Sequence, residues 1–291
     1  MNRRAALGRL SLALGATWFA KAVRAQPAPA RVVSVAGSIT EIVYALGAER
    51  SLVAVDTTSL YPEAATRLPK VGYLRALSAE GILALKPDLV LATVEAGPPT
   101  VMKQLTAAGV RVETLPAGHT IEALRERVRR VAALLGRERE GRLLDERIAS
   151  ELEALRRTLA EAKGPSPRVL FILSHGGSPQ IAGQDTAAAA MIELAGGRLA
   201  TGGFTGYRPL TPEAAAAAAP DVILTTTQGV TALGGLDKLL ALPGLGLTPA
   251  GRARHVVALD ALLLLGFGPR TPQAARDLAL ALRDPSRRTS S

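Results

Sequence analysis

The chain has 291 residues, enough for one large domain or two lobes at roughly 100–200 residues per domain. Hydrophobic residues make up 48% and charged residues 21%, which supports a packed core and excludes global disorder. There is no cysteine, so disulfides, thiolate zinc sites, Cys-ligated iron–sulfur clusters and Cys nucleophiles are excluded together, and the +10 net charge is unevenly spread.

Five of the 35 bases, Arg3, Arg4, Arg9, Lys21 and Arg24, fall in residues 1–25, which hold no acid, leaving 30 bases against 25 acids. Arg3-Arg4 is followed by the uncharged, mostly apolar run Leu10–Ala20 and then by Val23-Arg24-Ala25. This is the pattern of an export signal cleaved after Ala25. The run is too short to span a bilayer, which takes ~20 apolar residues, so no stable membrane insertion is expected. No cysteine follows it to carry a lipid anchor, and the only tryptophan, Trp18, leaves with the signal. No Lys/Arg block is interleaved with aromatics, so nucleic acid is not an expected partner.

After a linker over residues 26–30, short apolar runs alternate with helical segments. Strands are predicted over Arg31–Val35, Leu52–Val55, Leu89–Ala92 and Val110–Leu115. Helices are predicted over Ser38–Leu46, with Ser38 as cap and Glu41 completing a capping box, and over Ala79–Leu85, Pro99–Ala108 and Ile121–Leu135. Such alternation calls for a mostly parallel sheet covered by helices. Residues 138–163 differ. Leu143, Leu144, Ile148, Leu152, Leu155 and Leu159 recur at helical spacing through a stretch free of Pro, giving one long connecting helix. Alternation then resumes with strands at Val169–Leu173, Val222–Thr226 and His255–Leu259 and helices at Ala187–Leu194 and Pro272–Leu282. The layout is an N-terminal lobe (31–137), a connecting helix (138–163), a C-terminal lobe (168–283) and a flexible tail (284–291).

The two lobes share a segment. Leu77, Ser78, Glu80, Pro87, Asp88 and Leu91 match Leu210, Thr211, Glu213, Pro220, Asp221 and Leu224 at a constant offset of 133 positions, with Gly72-Tyr73 and Gly206-Tyr207 just upstream. Two related lobes can face each other across a cleft, presenting Tyr73 and Tyr207 from opposite sides. Ser78 and Thr211 stand in N-cap position, which puts Glu80 and Glu213 in a first helical turn. Such glutamates either simply favour the positive helix end or form a symmetric pair of acids for a two-fold basic partner.

The remaining candidates have bland readings. His119 lies in a loop or cap, His255 opens a strand, Met102 and Met191 fall on helices as core, and Tyr44 packs from the first helix. Tyr61-Pro62 is a loop that could approach the cleft. His175 follows a strand carboxyl end, the location that ligands favour in α/β sheets. Asp88 and Asp221 lead into strands, with a catalytic acid pair as a minor alternative. No Walker A, dinucleotide fingerprint, Gly-x-Ser-x-Gly elbow or HExxH motif is present.

The segments Gly72-Tyr73-Leu74-Arg75-Ala76-Leu77-Ser78-Ala79-Glu80-Gly81, Ser174-His175-Gly176-Gly177, Ala182-Gly183-Gln184-Asp185-Thr186, Tyr207-Arg208-Pro209-Leu210 and Leu265-Gly266-Phe267-Gly268 resemble a known family. Over roughly residues 31–283 the chain is similar to the helical-backbone substrate-binding proteins of bacterial ABC importers, and within them to the periplasmic haem-binding proteins. The resemblance implies two Rossmann-like lobes joined by one backbone helix, with the ligand in the cleft between them. It implies that haem is the transported ligand, with Tyr73 as axial ligand to the iron and Arg75 supporting the tyrosinate. Glu80 and Glu213 match acids that dock on arginines of a permease dimer. Tyr207 and Arg208 lie where the second lobe meets the cleft, with His175 nearby. A phenolate is a hard oxygen ligand suited to Fe(III), and Tyr is a known axial haem ligand. The expected protein is a monomeric, non-enzymatic periplasmic carrier. A corrinoid or ferric-siderophore carrier on the same fold is the alternative, and an exported α/β enzyme a more remote one.

Overall fold

The structure is a computed structural model that describes residues 28–174 and 178–284. The expected export signal, His175 and the tail beyond residue 284 lie outside the described residues. The first half runs β1 (Val32–Val35), α1 (Gly37–Ala45), β2 (Leu52–Val55), α2 (Glu63–Thr66), β3 (Gly72–Tyr73), β4 (Ala76–Leu77), α3 (Ala79–Ala84), β5 (Leu89–Thr93), α4 (Pro99–Ala107), β6 (Arg111–Leu115) and α5 (Ile121–Leu134). The helix α6 (Glu138–Glu161) follows. The second half runs β7 (Arg168–Leu173), β8 (Gln180–Ala182), α7 (Ala187–Leu194), β9 (Arg198–Leu199), β10 (Tyr207–Pro209), α8 (Pro212–Ala218), β11 (Val222–Thr226), α9 (Thr227–Leu233), α10 (Leu236–Leu240), α11 (Pro249–Ala253), β12 (Val256–Leu259), α12 (Ala261–Leu265) and α13 (Thr271–Ala281).

Each half builds its own sheet. The first is parallel, in the order β2-β1-β5-β6; the second runs β10-β8-β7-β11-β12, with β9 beside β7. Strands β1, β5, β7 and β11 are almost wholly buried, as expected for strands covered by helices on both faces. The short strands β3, β4, β8, β9 and β10 and the helices α9 to α12 were not legible as apolar runs. No described helix is long and apolar enough to cross a membrane.

The repeat is physical as well as textual. Asp88 Oδ2 accepts from the Arg31 N–H at 2.9 Å, and Asp221 Oδ2 accepts from the Arg168 N–H at 2.8 Å. The backbone of each aspartate also donates to the carbonyl of the same arginine at 2.8 Å. Each arginine side chain turns back onto the end of the preceding helix, Arg31 on the Leu85 carbonyl and Arg168 on the Ala218 carbonyl. The Pro-Asp pairs therefore clamp the start of a central strand, twice, which is a structural role.

Helix α1 departs from expectation. It starts at Gly37 rather than at a Ser38 cap, and Ser38 and Glu41 are buried inside it. The cap comes from the neighbouring loop. Asp56 Oδ1 accepts from the Ala36 N–H, and the Thr58 hydroxyl accepts from the Gly37 N–H, each at 3.0 Å. A Cβ on Gly37 would lie 2.5 Å from the Thr58 carbonyl oxygen and 2.7 Å from Leu262 of the other lobe, so only glycine allows this approach.

Helix α6 packs on α5 through one half and on α13 through the other. Leu144 and Ile148 join the core of the first lobe, Leu155 joins that of the second, and Leu152 touches both. Leu143, expected on the same stripe, instead faces solvent. The close approach of α5 and α6 depends on Gly141, where a Cβ would sit 2.5 Å from that of Ala132. Gly141→Ala should therefore lower stability despite alanine's better helix propensity of about 1 kcal/mol, with a net loss of about 1–2 kcal/mol from overpacking. The check is a lower urea midpoint at unchanged slope.

The lobes are clasped at one seam. Arg270, just before α13, gives its Nε and Nη2 to the two oxygens of Glu41 in α1, at 3.0 and 2.6 Å. Its other face carries the Tyr61 ring, 3.5 Å from guanidinium carbon to centroid. Beside it, Arg127 of α5 donates to the Phe267 carbonyl at 2.8 Å across the same seam. The Glu41 side chain is 4% exposed, and burial pushes its pKa up although the Arg270 hydrogen bond pulls it down. Removing one partner of a buried pair costs about 3–5 kcal/mol. Arg270→Ala should cost that much at pH 7. Without Arg270, Glu41 loses the hydrogen bond and charge that lower its pKa, so the variant's carboxyl is raised further than the parent's. The variant then gains more stability as pH falls, and the deficit should shrink toward pH 5, read as urea midpoints at the two pH values.

Candidate ligand site

Ligands of open parallel sheets bind outside the carboxyl ends of the strands. In this chain those ends meet the seam from both sides. In the first lobe β1 runs into Ala36, β2 into Asp56–Tyr61, β5 into Val94–Gly97 and β6 into Pro116–His119. In the second, β11 runs into Gln228 and β12 into Asp260, which hydrogen-bond at 2.7 Å, and Asp260 caps α12. The β2 loop is held from inside. Asp56, fully buried, accepts from the Ser59 hydroxyl at 2.8 Å and the Thr58 hydroxyl at 2.6 Å, and Ser59 continues to Thr40 at 2.7 Å and Thr40 to Ser34 at 2.9 Å.

The β3–β4 hairpin lies across these loops. Thr57 N–H donates to the Gly72 carbonyl at 2.9 Å, fastening it to the β2 end. Gly97 N–H donates to Leu74, and Leu77 N–H to Gly97, both at 2.9 Å, fastening it to the β5 end. The hairpin presents Tyr73, a residue 44% exposed. Arg75 Nη1 donates to the Tyr73 phenol oxygen at 2.8 Å. The other terminal nitrogen of Arg75 pairs with the Glu95 carboxylate on the β5 loop. Partial burial works against the charge of Arg75, but the phenol oxygen and the carboxylate outweigh it and push its pKa up. Leu60, Tyr61 and Val94, all exposed, come from the same loop set and give this face an apolar lining.

Deeper at the seam, His119 packs on Phe267 with ring centroids 5.2 Å apart. Burial lowers its pKa, the Glu95 charge opposes this and the Arg127 charge adds to it, which favours the neutral imidazole. Arg127 is itself buried. Desolvation lowers its pKa to about 10, and its Nε has no hydrogen-bond partner among the described residues. Of the other histidines, His255 is buried with its Nε2 at 3.2 Å from the Ala281 carbonyl, a core contact.

The second lobe does not mirror the first. Tyr207 sits in β10, paired with Ala182 of β8, and meets Phe171 edge to face at 6.5 Å. Its phenol is largely buried, and burial raises its pKa against a Thr186 hydrogen bond. Arg208 is exposed and lies 4.6 Å over the Phe204 ring. His175 lies outside the described residues.

Glu80 and Glu213 are exposed in the first turns of α3 and α8. Ser78 and Thr211 cap those helices, accepting from Gly81 N–H at 3.2 Å and Ala214 N–H at 3.1 Å. The Glu213 carboxyl is pulled below its ordinary range by a hydrogen bond to its own backbone and one to Thr211.

The structure thus brings Tyr73 and Arg75 into direct contact and leaves Tyr207 turned toward its own core. Sequence reasoning missed Glu95, Arg270 and Glu41 as site-shaping residues. Glu95 could have been found from its place just past the carboxyl end of β5. Nothing local marks Arg270 and Glu41, which meet only across the seam.

Comparison with known proteins follows the same lines. A family model described as periplasmic binding protein matches residues 32–263. The periplasmic haem-binding protein BhuT, solved with two haems, is 50% identical with a TM-score of 0.84, covering 88% of this chain and 98% of that one. The periplasmic haem-binding protein RhuT from Roseiflexus sp. RS-1, in apo form, is 43% identical with a TM-score of 0.84 over the same shares of the two chains. An uncharacterized ABC transporter substrate-binding lipoprotein of Bacillus subtilis, YvrC, is 28% identical over 254 residues, covering 86% of this chain and 79% of its own. With two sheet-centred lobes around α6 and a family match spanning most of its length, this chain belongs to the periplasmic binding protein family.

Proposed function

We propose that this chain is an exported haem carrier that holds haem between its lobes and delivers it to the permease dimer of an ABC importer. The observation that carries the reading is the hydrogen-bonded Tyr73–Arg75 pair on an exposed hairpin at the carboxyl face of the sheet, in a chain half identical to a haem-binding protein. Tyr73 supplies the phenolate to ferric iron. Iron and the Arg75 cation both favour the anion, which lowers the cost of deprotonating a group whose unperturbed pKa is about 10. Leu60, Tyr61 and Val94 offer apolar surface to a flat macrocycle. Arg208 is a candidate for the propionates, which suit guanidinium donors. His175 and Tyr207 remain candidate cleft residues from the sequence pattern.

The chain acts by binding rather than turnover. Residues 1–25 serve as its export signal, removed after Ala25, and the mature protein works in the periplasm as a monomer. The domain limits are those of the sequence reading, 31–137, 138–163 and 168–283. Glu80 and Glu213, exposed at equivalent positions of the two lobes, dock on arginines of the permease dimer.

Titration of the apo protein with haemin should give a saturable, shifted Soret band with phenolate-to-iron charge transfer. Tyr73→Phe should abolish the charge-transfer band and weaken binding at least about 10-fold. A spectrum that matches free haemin throughout would overturn the haem reading in favour of a corrinoid or siderophore. Charge reversal at both Glu80 and Glu213 should impair transport while leaving haemin affinity intact; transport at the normal rate would remove the docking role.

A further inference from the structure

We propose that Glu95 is a positioning residue for the ligand arm, holding the Arg75 guanidinium so that it presents an N–H to the Tyr73 oxygen. The proposal rests on Tyr73 being the haem ligand.

A guanidinium is a rigid planar fork. Its two terminal nitrogens here serve different partners, Nη1 the Tyr73 phenol and Nη2 the Glu95 carboxylate. Fixing one nitrogen fixes the direction of the other. The frame behind this geometry is backbone. Leu74, next to Arg75, accepts from Gly97, two residues past Glu95, and Gly97 in turn accepts from Leu77. The hairpin and the β5 loop are thereby joined on both sides of the side-chain triad.

The ion pair is solvent-exposed, with side chains 54% and 43% accessible, so it adds little to folding. Its effect is orientation. Without Glu95 the long Arg75 stem keeps a single tether at its tip and regains rotamer freedom. A flat ligand on the hairpin would displace water from the triad and strengthen both contacts. Glu95 also offsets the Arg75 charge, which bears on the iron reduction potential rather than on the direction of the N–H.

The test uses the haemin-loaded protein with Glu95→Ala, Glu95→Gln and Tyr73→Phe. The readouts are haemin release to excess apomyoglobin, the charge-transfer band and the iron reduction potential. Glu95→Ala should release haemin about 10-fold faster and shift the band, the size expected for losing a residue that orients a metal ligand. Glu95→Gln keeps an oxygen that accepts from Arg75. It should release haemin near the parent rate while the reduction potential rises, because the Arg75 charge is no longer offset. Parent-like release and band in Glu95→Ala, with the band lost in Tyr73→Phe, would overturn the positioning role and leave the ligand reading standing. Glu95→Gln as damaging as Glu95→Ala would overturn it too, because charge rather than orientation would then be at work. A band that survives Tyr73→Phe would overturn both together.

Discussion

The Glu41 carboxylate is almost wholly removed from water, and a buried charge must find a partner with matching geometry. Its partner, Arg270, comes from the other lobe. The bidentate contact therefore does what no intralobe bond can: it fixes the carboxyl ends of two separate sheets against each other. Gly37 lets the backbones come close enough, and the Arg127 bond to the Phe267 carbonyl adds a second tie. Helix α6 joins the lobes by a separate route, as one unbroken helix packed on both. A continuous helix bends readily only at a Pro, a Gly pair or a bulge, and the part of α6 that carries Leu144 to Leu155 has none. The cleft is thus framed by a covalent rod and a non-covalent clasp.

Within that frame the same small device is built twice. A Pro-Asp pair enters a strand, the aspartate clamps the backbone of the neighbouring strand, and a capped helix precedes it with a glutamate in its first turn. The symmetry ends at the sheet edge. In the first lobe β1 has a parallel neighbour, β2, and the chain beyond it is free to form the exposed hairpin that carries Tyr73. In the second lobe the corresponding edge is taken by antiparallel β8 and β10. That pairing puts Tyr207 against Phe171 and leaves Arg208 outside. The same device thus leads to an exposed phenol on a hairpin in one lobe and to an exposed guanidinium over an aromatic ring in the other.

The chemistry of the arm is a chain of polar contacts, in which one guanidinium donates to a phenol oxygen and to a carboxylate. Each link is weak in water. Under the proposed function, a ligand that dries the arm would strengthen these links, which suits a carrier that must bind its cargo and also release it. The Tyr61 ring ties this face to the clasp, since it stacks on the same Arg270 that holds Glu41.

The sequence by itself determined the alternating α/β pattern, the long α6 helix, the repeat, the Ser78 and Thr211 caps and the Tyr-x-Arg segment, because each is written in local spacing and residue type. It placed Tyr73 and Arg75 close enough to touch, being two residues apart. It misjudged the start of α1, where Asp56 and Thr58 cap from a distance of some 20 residues in place of Ser38. It did not foresee the hairpin as strands, since two-residue strands carry no period. The tertiary structure alone decided that Glu95 meets Arg75, that Tyr207 turns inward and that Glu41 crosses the seam to Arg270, 229 positions away. Such contacts depend on how two sheets are brought face to face, and no local pattern of apolar and polar residues encodes the partner of a buried charge in another lobe.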